Sequence, residues 1–264
     1  MEFRPCIDIH NGRVKQIVGG SLKDTDNHAE ENFVSEQKAL FFAELYREKG
    51  LRGGHVILLN PENSPYYGAT KEQALEALRT YPGGLQAGGG IRPDNAAEFL
   101  DAGASHVIVT SYVFREGRID FERLKKLTDT VGKRHLVLDL SCRRTSFGYR
   151  VVTDRWQKMT GETVDEPLLD RLSRYCDEFL IHGVDVEGKS EGIEEELVAL
   201  LGRWDACPIT YAGGVHSYGD LELLRRLGRN RVNVTIGSGL DLFGGALSWE
   251  QVLEICGRTD TSIF

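Results

Sequence analysis

The chain has 264 residues, 41% of them hydrophobic, and no run of about 18 or more apolar residues, which is enough for a full core and excludes a membrane span. Its 40 Asp and Glu exceed 32 Lys and Arg, giving a net charge of −8 without a basic stripe, so neither nucleic acid nor an anionic membrane surface is an expected partner. The five cysteines (Cys6, Cys142, Cys176, Cys207, Cys256) are odd in number, far apart and free of any C-x-x-C pair, which speaks against a disulfide framework or a zinc site and suits a reducing compartment.

The chain opens MEFRPCIDIH and enters a strand without a charged n-region, an apolar h-region or an Arg/Ser-rich transit segment. The expected address is cytoplasmic, with a trimmed organelle peptide as the alternative. Short β-rich apolar runs follow at residues 5–9, 55–59, 85–87, 107–110, 136–140, 179–182, 209–212 and 232–236, with charged amphipathic segments between them. The helix signals are Thr70 with Gln73 as a capping box, Pro93 at a first helical position, Gly103 just past a helix end, and Ser217 before an apolar-periodic stretch. Alternating β and α units predict an α/β fold with a parallel sheet. Even spacing and the lack of a Gly-x-Gly-x-x-Gly opening the first helix favour a (β/α)8 TIM barrel over a doubly wound sheet. Residues 141–166 form the longest insertion between strands and are expected to make a long loop that closes over the mouth.

An internal repeat points the same way. Gly89-Gly90-Ile91 after the third strand recurs as Gly213-Gly214-Val215 after the seventh. Val107-Ile108-Val109-Thr110-Ser111 recurs as Val234-Thr235-Ile236-Gly237-Ser238, and Asp8 on the first strand is echoed by Asp139 on the fifth. All three landmarks move together by about half the chain, as expected of two half-barrels fused into one domain over residues 1–264.

Glycines between a strand and a helix let backbone N–H groups approach an anion. Gly90 with Thr110 and Ser111 is one expected phosphate cradle, and Gly214 with Gly237 and Ser238 the other; a single Gly-Gly alone reads equally as a tight βα turn. In a barrel, Asp8 and Asp139 would point into one mouth, where two carboxyls can divide acid and base roles if their environments separate their pKa values. His182, ending the sixth strand, reads equally as a contact or a packing residue; His10 and His55 read as packing residues. Trp156 and the Arg143-Arg144 pair lie in the insertion, where an indole and a guanidinium suit a planar heterocycle. Trp204 reads as core or surface.

The stretches PCIDIHNGRVKQIVGG, GGGIRP, VLDLSCRR, DRWQK, HGVDVEGKSEGI, YAGGV and TIGSGLDLFGG resemble the phosphoribosylformimino-5-aminoimidazole carboxamide ribotide isomerases of histidine biosynthesis, nearest to the eukaryotic branch. The similarity runs through essentially the whole chain. It implies an Amadori rearrangement of an aminoaldose to an aminoketose, with a phosphate at each end of the substrate, no metal, no organic cofactor and no obligate protein partner. It implies Asp8 as general base, Asp139 as general acid, Gly90, Ser111, Gly214 and Ser238 at phosphate-binding positions, and Trp156 as an indole stacking near the heterocycle; Gly89, Thr110, Gly188, Gly213 and Gly237 complete the expected phosphate-binding set, and Gln16, Arg92, Arg143 and His182 are further expected substrate contacts. The sequence departs where many bacterial members carry Thr at His182 and Arg at Gln16, and where Ser-Cys-Arg-Arg replaces a shorter Arg-Gly pattern. The sister cyclase fed by a glutaminase, a broader isomerase also acting on phosphoribosylanthranilate, and a non-catalytic phosphosugar-binding barrel are the alternatives; the DRWQK loop favours the isomerase over the cyclase, and the paired carboxyls and cradles speak against a non-catalytic protein.

Overall fold

The computed structural model describes residues 1–18, 21, 29–189 and 191–257, so Gly19 and Gly20 of the first motif and Ser190 of HGVDVEGKSEGI lie outside the described residues. Eight parallel strands form where apolar runs are continuous: β1 Cys6–His10, β2 Gly54–Leu58, β3 Leu85–Gly88, β4 Val107–Val109, β5 Leu136–Asp139, β6 Glu178–His182, β7 Ile209–Ala212 and β8 Val232–Thr235. Each overlaps a predicted run, and sheet order follows chain order from β1 to β8. Among the described residues eight α-helices alternate with them: α1 Ala39–Glu48, α2 Tyr67–Thr80, α3 Ala96–Asp101, α4 Phe121–Val131, α5 Glu166–Leu172, α6 Glu195–Arg203, α7 Tyr218–Leu227 and α8 Trp249–Gly257. The segment before β1 also reaches β8. Phe3 bridges Val234 in parallel, Arg4 N–H donates to Val234 O at 2.8 Å, and Val234 N–H donates to Glu2 O at 3.0 Å.

Such strands are buried on both faces, which is why they read as unbroken apolar runs. On one face Ile7, Ile9, Val56, Leu85, Val107, Leu136, Phe179 and Tyr211 join Tyr46, Leu78, Phe99, Leu124, Leu169, Leu197 and Leu221 of the helices in the main core. The other face carries a small cluster of Ile108, Val137 and Leu180 with Ile57 against it. Nearer the N-terminal ends, Glu178 pairs with Arg4 and accepts hydrogen bonds from Gln86 Nε2 at 3.0 Å and Thr210 Oγ1 at 2.7 Å. Removing one partner of such a buried pair costs about 3–5 kcal/mol, because the other charge is left uncompensated.

Two helix signals hold and two are corrected. Ser217 caps α7 in a reciprocal box, its Oγ accepting from Asp220 N–H while the Asp220 carboxylate accepts from Ser217 N–H at 2.9 Å. Gly103, with φ +110°, follows the end of α3. Thr70 and Gln73 do not form a capping box, since α2 already begins at Tyr67. Their side chains instead tie α2 to its neighbours: Thr70 Oγ1 accepts from Gly12 N–H at 3.0 Å, and Gln73 Oε1 from Ala39 N–H at 2.8 Å. Pro93 lies in a turn before Asn95, the residue capping α3, because Asn95 Oδ1 accepts from Arg92 N–H and closes that turn first.

Two antiparallel additions rim the C-terminal ends of the parallel strands. After β1, Asn11 (φ +52°) and Gly12 (φ +70°) form the tight turn into a strand at Arg13–Ile17, which pairs with Glu31–Val34. The insertion is corrected from a long loop to a three-stranded sheet of Cys142–Thr145, Gly148–Thr153 and Lys158–Thr163. Its first turn is pinned by Thr145 Oγ1 donating to Gly148 O at 2.8 Å, and Tyr149, Val151 and Val152 are buried. Among the described residues no helix is long and apolar enough to cross a membrane.

Candidate active site

A cleft opens at the C-terminal ends of the strands, lined by Cys6, Asp8, Gln16, His55, His182, Glu187 and Gly188, the Gly213-Gly214 turn after β7, and Gly237 and Ser238 after β8. Both Gly-Gly turns adopt left-handed backbone in the same sequence: Gly89 +101° then Gly90 +74°, and Gly213 +126° then Gly214 +74°. At Gly214 a Cβ would stand 1.9 Å from Gly192 O, so only glycine keeps this turn with its backbone against the cavity.

Asp8 lies two residues before the end of β1. Burial, then the neighbouring Glu187 carboxyl, push it up to about 7, against the opposing pull of His182 and Gln16. Gln16, which lines the cavity, has its Nε2 3.5 Å from Asp8 Oδ2 and 3.7 Å from Cys6 Sγ. Glu187 was not among the expected site residues. It follows β6 in the turn that ends at Gly188 (φ +69°), and burial raises its carboxyl too. The signal lay in an acidic residue beside a glycine in VDVEG, but only the turn brings it near Asp8.

Asp139 and His182 end β5 and β6 and meet as a pair, His182 Nδ1 lying 3.3 Å from Asp139 Oδ1. Ser141 Oγ donates to Asp139 Oδ1 at 2.8 Å and Thr110 Oγ1 to Asp139 Oδ2 at 3.0 Å. Burial opposes the Asp139 charge, but His182 and the two hydroxyls outweigh it and hold the carboxyl below its usual range. His182 is raised to about 9: burial works against its charge, and Asp139, Glu187 and Asp8 overcome it. His55 is driven down to about 3, by burial and then by His182, and so is neutral. The His182 ring lies 6.0 Å from Trp156 and 6.5 Å from His55, centroid to centroid.

Asp139, Gly89, Gly90, Thr110, Ser111 and Trp156 do not line this cavity. Thr110, expected in a phosphate cradle, spends its hydroxyl proton on Asp139. Ser111 Oγ accepts from Asp154 N–H at 3.0 Å, so the insertion's second turn sits over that strand end. In that turn Asp154, Arg155 and Trp156 all have positive φ. Two of the expected contacts have carboxylate partners: Arg92 pairs with Glu62 at 2.9 Å and Asp94 at 3.2 Å, and Arg143 pairs with Asp185 at 2.9 Å. His10 is buried on β1, and Trp204 is a core residue whose Nε1 donates to Asp170 at 2.8 Å.

Residues 2–244 match the family described as histidine biosynthesis protein. The chain belongs to that family. In this histidine biosynthesis protein the match extends over individual relatives. It is 54% identical over 100% of its length to 84% of a chloroplastic protein of Medicago truncatula named 1-(5-phosphoribosyl)-5-((5-phosphoribosylamino)methylideneamino) imidazole-4-carboxamide isomerase. Isomerases of the same name from Yarrowia lipolytica and Saccharomyces cerevisiae are 46% and 44% identical, over 92% and 93% of this chain and 93% and 94% of their own. Among its described residues no group of three or more His, Cys, Asp or Glu is placed to hold a metal ion. The titratable side chains that line the cavity are Asp8, Glu187, His55, His182 and Cys6, beside the glycine turns.

Proposed function

We propose that this histidine-biosynthesis isomerase carries out the reaction named for its relatives, converting a bis-phosphorylated aminoaldose to the corresponding aminoketose. The observation that carries the reading is that Asp8 and His182 line one cavity beside the Gly213-Gly214 turn, with Asp139 paired to His182 behind it. Asp8 removes the proton from the sugar C2, and a carboxyl near 7 is well matched to that task at neutral pH. The Asp139–His182 pair serves the furanose ring oxygen on the other side. Gly188, Gly213, Gly214, Gly237 and Ser238 receive one phosphate, and Gly89, Gly90, Thr110 and Ser111 frame the place for the other once the Asp154 turn yields Ser111. Trp156, whose ring lies 6.0 Å from that of His182, covers the reacting centre. Proton transfer by each positioned group supplies roughly 10²- to 10⁴-fold, with positioning adding the rest.

The fold under this function is a closed, single-domain (β/α)8 barrel with a two-fold repeat. Closure is supported by the parallel Phe3–Val234 bridge and by Tyr46 of α1 stacking on Trp249 of α8 at 5.8 Å. One hydrophobic cluster running from Phe3 to Cys256 supports a single domain, and the matching φ sequence of the two Gly-Gly turns supports the repeat. The five free thiols suit a reducing compartment, whether the expected cytoplasm or the plastid printed in the Medicago relative's name. Turnover of the purified protein with the aminoaldose tests the function directly: release of the aminoketose is expected, and tight binding without turnover would leave only a phosphosugar-binding barrel.

A further inference from the structure

Resting on the isomerase reading, we infer that His182, through Nε2, is the proton donor to the furanose ring oxygen, and that Asp139 is its positioning residue. The geometry separates the two groups. Both oxygens of Asp139 are engaged, Oδ1 by Ser141 Oγ at 2.8 Å and His182 Nδ1 at 3.3 Å, and Oδ2 by Thr110 Oγ1 at 3.0 Å. A carboxylate that accepts from donors on both oxygens is stabilised in its ionised form and has no proton to give. Asp139 also does not line the cavity that holds Asp8, whereas His182 does.

His182 is built for delivery. Nδ1 faces Asp139 and Ser141, and among the described residues Nε2 has no hydrogen-bond partner. Trp156 on one side and His55 on another flank the ring, which restricts its rotation. The titratable groups facing it from each packed element are Asp139 on β5, Asp8 on β1, Glu187 in the turn after β6, and neutral His55 on β2. Three carboxyls around one imidazole favour the imidazolium, which accords with its rise to about 9. Acid and base are then different chemical groups, and the pair can be charged and discharged in one cycle.

The step balances without any further reagent. The His182 Nε2 proton passes to the ring oxygen as the C1–O bond breaks; the electron pair of that bond stays on oxygen, and the nitrogen lone pair forms the C1=N bond. Asp8 takes the C2 proton, the C–H electron pair becomes the C1=C2 double bond, and the C=N pair returns to nitrogen. The enaminol then becomes the ketone as C1 accepts the proton held by Asp8 and the 2-hydroxyl proton restores the imidazolium.

The test is the pH dependence of kcat and KM for the parent, His182→Gln and Asp139→Asn on the aminoaldose, with ¹⁵N NMR titration of His182 in the parent. The parent's alkaline limb is expected near 9 and the His182 nitrogens should titrate with it. His182→Gln should lower kcat by about 10²- to 10⁴-fold, change KM little, and lose the alkaline limb. Asp139→Asn should keep a measurable kcat at acidic pH with the alkaline limb moved down, since the imidazolium has lost its partner. A His182→Gln enzyme with near-parental kcat and an intact alkaline limb would overturn the assignment, as would NMR titration at or below the ordinary 6.5. The NMR arm needs no variant to fold. A parent inert toward the aminoaldose would overturn the isomerase reading itself, and the assignment with it.

Discussion

Gln16 Nε2 stands 3.5 Å from Asp8 Oδ2, while its Oε1 lies 2.0 Å from where a Cβ on Gly237 would sit. The carboxamide is thus wedged between Asp8 and Gly237. Its hydrogen bond favours the ionised carboxyl, so removing it should raise Asp8 further above the usual range. Gln16→Leu is expected to move the acid limb of kcat upward from about 7, with activity lost at neutral pH and recovered at mildly alkaline pH. Gly237→Ala should displace Gln16, move the limb the same way, and raise KM. pH–rate profiles of both variants check this; an unmoved acid limb in Gln16→Leu would separate Gln16 from the base.

Asp8→Asn should abolish turnover, because an amide cannot accept the C2 proton and Glu187 beside it is itself held toward its neutral form by burial. Binding should survive, since the change touches neither glycine turn. Calorimetric binding of the aminoketose together with steady-state rates is the measurement. Retention of even about a tenth of the parental rate would place the base elsewhere.

The phosphate ends are tested by charge. Ser238→Asp sets a carboxylate at a cavity-lining position and should raise KM by roughly tenfold or more through like-charge repulsion. Ser111→Asp should do the same and, in addition, grip the Asp154 N–H that Ser111 already accepts. KM measured for each against the parent decides it; parental KM in either variant removes that strand end from the phosphate site.

Far from the chemistry, Glu178→Ala should leave the buried Arg4 with only the exposed Glu2 carboxylate, 3.5 Å away, as a partner, and Gln86 and Thr210 without their acceptor. A loss of about 3–5 kcal/mol is expected, or a Tm lower by roughly 10 °C. Thermal unfolding followed by circular dichroism would show it. Near-parental Tm would mean that Arg4 finds solvent through the N-terminal ends of the strands.

The eight parallel strands were legible because strands buried on both faces must be continuously apolar, and the Gly-Gly turns because only glycine fits their backbone. The insertion's strands were not legible: Cys142–Thr145 and Lys158–Thr163 are short and largely polar, and pairing with Gly148–Thr153 makes them strands. The ion pairs of Arg92 with Glu62 and of Arg143 with Asp185 were not legible either, because the partners stand 30 and 42 positions apart in the chain.

Composition, the spacing of glycines and the positions of Asp8 and Asp139 determined the α/β class, the family and the two carboxyls. In sequence those carboxyls look alike, each on an apolar parallel strand. Tertiary structure alone separates them, by setting Asp8 against Glu187 and Gln16, and Asp139 against His182, Ser141 and Thr110. Which group holds a proton depends on the charges within a few ångströms in space. Here those charges come from different strands and turns, so no stretch of the chain carries the answer by itself.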